Sequence, residues 1–309
     1  MKERTKKTGR VIVSKLKFIL MFVGILILAL LIKKAGLTKL WGTIIGMSPF
    51  YIMLAVLPWV LTMVLGAYRL KKIVNSKISF FDIFKIYSYG YLLNYASPVQ
   101  GFGAGAKIAM LKMKNVKISK SSASVSSEIV YDIMLTLVVI ILFFIYHINF
   151  LLDQLSSIVN LKLFFAGILA VLVLLAAAWF LRKKEFVKEF LEHLTGTFGF
   201  KNMAYLMPLT FLIWLLPAVT IYIIFIAAKA PIGLWIALGS LSMGFIFGLA
   251  SFIPGGLGVR DAIMAYVYSL SGVSLETTIS VTVFFRFFTI GIVLLVVILI
   301  KLYEMIIKR

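Results

Sequence analysis

The chain has 309 residues, 62% of them hydrophobic, with a mean hydropathy of +1.08 and a net charge of +21. That apolar share is well above an ordinary soluble domain's, so water is not its main solvent, and the lack of cysteine excludes disulfides and thiolate metal sites. The excess of 32 Lys and Arg over 11 Asp and Glu would suit a nucleic acid, but these residues sit between apolar runs rather than on a soluble module, so no nucleic-acid partner is expected.

In chain order, a basic segment, 1–17, precedes an apolar run at 18–32. Lys33 and Lys34 close that run and no small-residue cleavage site follows, so it reads as an uncleaved transmembrane helix rather than a signal peptide. Further runs fall at 44–68, 83–97, 125–147, 162–181, 205–228, 235–253 and 278–300, with shorter pieces at 104–113 and 259–271 and a basic tail at 301–309. Several reach the roughly 20 residues that a helix needs to cross about 30 Å of hydrocarbon. The short alternating segments of a membrane barrel do not occur.

The runs repeat. Pro49 and Pro58 stand nine apart in one long run, and Pro208 and Pro217 stand nine apart in another. The next matched proline ends an apolar segment in each half, as NYASPVQGFG at Pro98 and LASFIPGGLG at Pro254. Gly101-x-Gly103 then matches Gly256-x-Gly258, so six of the seven prolines belong to one duplicated pattern over 44–147 and 205–300. Each half reads as a Pro-containing helix, a second helix ending in Pro, a Gly-rich break, a short helix and another long helix. Irregular backbone at membrane depth must be buried in protein or line a wet cavity, so each break is expected to be a re-entrant turn.

Charge sets the direction, because basic loops stay in the cytoplasm. With the N-terminus inside, segment 69–77 and Lys112, Lys114, Lys117 and Lys120 are cytoplasmic, as are the amphipathic 182–190 stretch and the C-terminal tail. The loop holding Asp153 is outside, and the second half is inverted relative to the first. Lys33, Lys34 and Lys39 fit this scheme only by snorkelling at the interface. The fold class is therefore all-α: one multi-pass cell-membrane domain, with about six full transmembrane helices and two re-entrant hairpins in an inverted repeat.

Candidate functional residues follow from the cost of charge in hydrocarbon. Glu128 and Asp132 share one face of helix 125–147, Arg286 lies at nearly the equivalent depth of the repeated helix, Lys107 sits in the first hairpin, and Arg260 and Asp261 sit in the second. Glu128 or Asp132 is expected to face Arg260 or Arg286, either as a static pair joining the halves or in a wet cavity that conducts a headgroup. Asn94, Pro98, Gly101 and Gly103 form the first break, and Pro254, Gly255, Gly256 and Gly258 the second. A helix starting after either break would offer free N–H groups to an anion such as a lipid phosphate, unless the glycines serve only close packing. Ser97, Gln100 and the SKSSASVSS hydroxyls add polarity, while Trp59, Trp214 and Trp235 read as interfacial anchors and packing. With two histidines, His147 and His193, and no P-loop, GxSxG or HExxH pattern, neither a metal nor another cofactor is expected.

The stretches LNYASPVQGFGAGAKIAMLK, SSEIVYD and FIPGGLGVRDAIMAYVYSLSGVSLETTISVTVFFRF resemble the lysylphosphatidylglycerol synthase transmembrane region, or flippase-like (UPF0104), family. That family resembles the membrane half of multiple peptide resistance factor, and the resemblance covers nearly the whole chain. It implies a domain that moves an anionic or aminoacylated phospholipid between leaflets, with Lys107, Glu128, Asp132, Arg260 and Arg286 at the family's polar positions. One departure is Ala104 or Ala106, at the place where many relatives carry a Glu next to the basic residue of the first motif. No soluble transferase domain follows the last helix, so the alternative is a membrane component of a phosphatidylglycerol lysyltransferase acting with a separate soluble transferase. A homodimer is compatible with either.

Overall fold

Every element in the computed structural model, which describes residues 2–96, 101–147 and 185–307, is helical. In order these are α1 (Lys2–Ala35), α2 (Leu37–Ile45), α3 (Pro49–Val74), α4 (Phe80–Ala96), α5 (Phe102–Met113), α6 (Ile118–Tyr146), α7 (Glu185–Thr197), α8 (Phe200–Ala227), α9 (Leu234–Ala250), a single 3₁₀ turn (Pro254–Gly256), α10 (Val259–Ser269) and α11 (Leu275–Ile307). Four of them, α3, α6, α8 and α11, are long and apolar enough to cross a membrane, and α1 with α2 makes a fifth if the bent pair is one span. The expected crossing at 162–181, the Asp153 loop, Pro98 and the basic residues 182–184 lie outside the described residues.

The connection carrying Lys39, between the first two apolar runs, is helical. α1 stops at Gly36, whose φ of +78° favours glycine, and the chain turns by 79° into α2. α2 buries Leu40 and leaves Leu37, Trp41 and Ile45 exposed. An apolar stripe turned away from the protein suits a helix lying along a bilayer surface, where the flanking lysines reach water.

Prolines shape the two long helices at the centre. Pro49 begins α3, where its missing N–H costs nothing, whereas Pro58, Pro208 and Pro217 lie inside helices and each remove a ladder hydrogen bond. α3 and α8 pack against each other, and a core of Trp59, Phe143, Ile224, Phe225, Tyr268 and Phe285 joins them to α6, α10 and α11. Trp59 sits edge-on to Phe285 at 5.6 Å and to Tyr91 at 6.1 Å, so it is a packing residue.

Between the long helices lie two short-armed hairpins. α5 has 12 residues and α10 has 11, about 18 and 17 Å of helix, so neither crosses a hydrocarbon core alone. Each packs back on its predecessor, α5 on α4 and α10 on α9. Close backbone contact makes this possible in the first hairpin, because a Cβ on Gly103 would stand 2.0 Å from the Gly90 carbonyl oxygen. α7 closes over the start of α6, with Ser119 Oγ 2.7 Å from Glu189 Oε2 and the Tyr131 hydroxyl 2.7 Å from the Thr197 carbonyl.

Candidate functional site

The hairpins and the proline helices wall one cavity of about 300 Å³. α3 brings Trp59, Thr62 and Arg69 to it, and α8 brings Trp214 and Pro217. The first hairpin contributes Tyr87, Tyr91, Asn94, Tyr95 and Lys107, and the second contributes Gly244, Gly248, Gly255, Gly256 and Arg260. Glu128 and Asp132 enter from α6, one helical turn apart on the same face as their spacing required.

The carboxylates do not find the partners anticipated from the sequence. Arg69 holds Asp132 through both oxygens, Nη1–Oδ1 at 2.7 Å and Nη2–Oδ2 at 3.1 Å, and Trp214 Nε1 donates to the same Oδ1 at 3.0 Å. Lys107 Nζ lies 2.9 Å from Glu128 Oε2 and 4.6 Å above the Tyr87 ring, so the first hairpin is tied to α6 by charge. Glu128 Oε1 is 4.0 Å from Arg69 Nη2 and has no hydrogen-bond partner. The cavity thus pairs Glu128 and Asp132 with Arg69 and Lys107, not with Arg260 or Arg286.

Arg286 and Asp261 stand apart from the cavity lining. They form a bidentate pair, Nε–Oδ1 at 2.9 Å and Nη2–Oδ2 at 2.7 Å, with both side chains under 10% exposed. Asp261 also accepts the Gly258 N–H at 2.9 Å, capping α10. In the first hairpin the Gly103 N–H is likewise taken, by Asn94 Oδ1 at 3.0 Å. At each break one N–H is thus already taken by a side chain of the same hairpin, Gly103 by Asn94 and Gly258 by Asp261.

Arg260 supplies the cation instead. It is half-buried and forms no ion pair among the described residues, and its stem lies in a cradle of glycines. A Cβ on Gly256 would be 3.0 Å from Arg260 Cβ, and one on Gly244 would be 3.2 Å from its Cγ. Gly255, with φ +59°, comes close to the Asn94 carbonyl, so the two breaks meet. Pro98 lies outside the described residues, and Gly101 lines the cavity while Pro254 does not.

Sequence reasoning misses two residues. Arg69 follows the apolar run and reads as part of the cytoplasmic 69–77 segment, yet it is 2% exposed and pairs inside the bundle. Its signal is periodicity: 59, 62, 66 and 69 fall on one helical face, and three of them line the cavity or pair across it. Trp214 reads as an anchor and packing residue, but its indole N–H holds a buried carboxylate. In the SKSSASVSS run, Ser127 Oγ donates to the Ala123 carbonyl, whereas Ser119 Oγ donates to Glu189 of α7.

A family model described as lysylphosphatidylglycerol synthase TM region matches residues 12–297. A UPF0104 membrane protein from Methanothermobacter thermautotrophicus is 25% identical over 301 residues, covering 86% of this chain and 88% of that protein.

Proposed function

Since this chain belongs to the lysylphosphatidylglycerol synthase transmembrane-region family and is a multi-pass membrane protein, we propose that it moves an anionic or aminoacylated phospholipid between membrane leaflets. One observation carries this reading: two broken hairpins and two proline-bearing helices converge on one cavity, with Lys107, Arg69, Arg260, Glu128 and Asp132 at its wall. Charged groups in hydrocarbon are costly and persist where they serve a pathway. Broken helices meeting between repeated halves are a known transporter arrangement, with the substrate at the meeting point. In this reading the halves are oppositely inserted, both termini are cytoplasmic and the membrane is the cell membrane.

Proline inside α3 and α8 supports the same reading, because a helix with a missing ladder bond bends at low cost. The hairpin arms are short, with α5 joined to α6 through Lys107 and Glu128 and α10 joined to α11 through Asp261 and Arg286, which suits movement relative to the longer helices. The test is reconstitution of purified protein into liposomes carrying fluorescent phosphatidylglycerol in the outer leaflet, with a membrane-impermeant quencher added. Faster protection than in protein-free vesicles is the expected result. Equal rates across phosphatidylglycerol and its aminoacylated forms, with and without protein, would reject the proposal.

A further inference from the structure

We infer that the cavity selects phospholipids whose headgroup is a phosphodiester monoanion, over zwitterionic and net-cationic aminoacylated headgroups. The inference rests on the translocation reading for its choice of a lipid as ligand, and it decides between the two substrate classes that reading leaves open.

Net charge in the cavity favours a monoanion. Three cations, Arg69, Lys107 and Arg260, and two carboxylates, Glu128 and Asp132, are the charged groups among the described lining residues, leaving one positive charge. Arg69 is committed to both oxygens of Asp132, and Lys107 to Glu128. The uncompensated charge therefore sits on Arg260. Its neighbour in sequence cannot neutralise it, because Asp261 directs its oxygens to Arg286 and the Gly258 N–H.

The free guanidinium favours the same ligand. Arg260 lines the cavity without an ion-pair partner among the described residues, and a phosphodiester brings acceptors and one negative charge, so it matches those donors and neutralises the wall together. A lysyl ester adds two ammonium groups to one phosphate and would raise the enclosed charge rather than cancel it. Choline headgroups bring no net charge at all.

An apolar wall distinguishes a lipid from free phosphate. Leu241, Phe245 and Leu249 of α9 supply that wall to the same cavity. Inorganic phosphate uses none of that surface, whereas the glycerol and first methylenes of a lipid do.

The test measures binding to the purified full chain in detergent by native mass spectrometry. The probes are short-chain phosphatidylglycerol, its lysyl ester, phosphatidylcholine and inorganic phosphate. Phosphatidylglycerol is expected to bind at least tenfold more tightly than the other three. Arg260→Gln is expected to lose that tenfold preference by weakening phosphatidylglycerol more than the choline lipid, and Arg260→Lys to keep part of it. A lysyl ester that matches phosphatidylglycerol, or an Arg260→Gln protein with unaltered preference, overturns the inference. Phosphate binding as tightly as the lipid overturns the lipid assignment. The wild-type panel decides the question even if Arg260→Gln fails to fold. Should the preference hold while no lipid moves in liposomes, translocation falls and the selective site stands. Movement of every lipid with no preference in binding has the opposite meaning.

Discussion

Arg69 near the end of α3 grips Asp132 of α6 with both terminal nitrogens, at 2.7 and 3.1 Å, and its Nη1 also donates to Thr210 of α8 at 3.1 Å. One guanidinium thereby connects three long helices beside the cavity. Arg69→Met leaves Asp132 without its charge partner and Glu128 with only Lys107. Breaking a buried pair from one side costs about 3–5 kcal/mol. The variant is expected to unfold at much lower temperature in detergent, and Arg69→Met with Asp132→Asn to recover a substantial part. A double variant as unstable as the single would show that the pair itself contributes nothing.

That contact also marks where the sequence stops being legible. The all-helical membrane class, the long helices and the polar content of the hairpins follow from run lengths, proline and glycine. Pairing does not, because the register that turns one helical face toward another is fixed by packing at Gly66, Gly90 and Gly103, which no single run encodes. A Cβ on Gly66 would fall 2.2 Å from the Tyr87 hydroxyl, so that glycine sets the distance between α3 and α4. Arg69 is hidden for a simpler reason: charge ends an apolar run in sequence, while the helix continues to Val74.

Gly103 and Gly105 give a paired test of the first hairpin. Gly103→Ala would place its Cβ 2.0 Å from the Gly90 carbonyl and 2.5 Å from Asn94 Oδ1, which no rotamer change relieves on the backbone side. Overpacking of this kind costs about 1–3 kcal/mol or more and should separate α5 from α4. A methyl group on Gly105 would meet nothing within 4 Å, and the position is helical, so Gly105→Ala should be neutral or gain about 0.5–1 kcal/mol. Hydrogen exchange across 102–113 checks both. Equal protection in the two variants would mean the arm is not held by backbone contact.

Asp261 does two things at once, and a charge swap separates them. Asp261→Lys with Arg286→Glu restores an opposite pair but removes the acceptor for the Gly258 N–H. Loss of such a cap costs about 1 kcal/mol, against the several lost when one charge is left alone. The swapped protein should therefore be more stable than Asp261→Lys by a wide margin and less stable than wild type by a small one. Full recovery would leave the cap without weight.

Acid should loosen α7. The Ser119 hydroxyl, bonded to Glu189, and then Lys117 hold the Glu189 carboxyl below its ordinary value of 4.5. A carboxyl whose folded value is depressed adds stability that is present above the unfolded value and lost as pH falls through the folded one. Protease cleavage within 185–197 is expected to be unchanged from neutral pH to about 5 and to rise below 4.5, with Glu189→Gln showing the low-pH behaviour at neutral pH. Exposed pairs contribute little, so the change should be small. Cleavage that rises equally in Glu189→Gln as pH falls would point to another group.

Glu128 offers a sharper consequence of the charge balance around Arg260. Its partner Lys107 belongs to the first hairpin, and its second oxygen faces Arg69 at 4.0 Å. Glu128→Gln removes one negative charge while keeping shape and an acceptor, so the enclosed excess of one positive charge becomes two. Lys107 then loses its charge partner and keeps the Tyr87 ring and a neutral acceptor, so its charge is available to a ligand oxygen. A phosphodiester neutralises half of that excess, whereas a phosphomonoester, carrying about −1.5 to −2 near neutral pH, neutralises nearly all of it. Binding preference should therefore move from phosphatidylglycerol toward phosphatidic acid, by about tenfold in the ratio of dissociation constants. Lys107→Met brings the excess to zero and should weaken both lipids without changing their order. If Glu128→Gln keeps the wild-type order, the charge inside the cavity does not set its choice of headgroup.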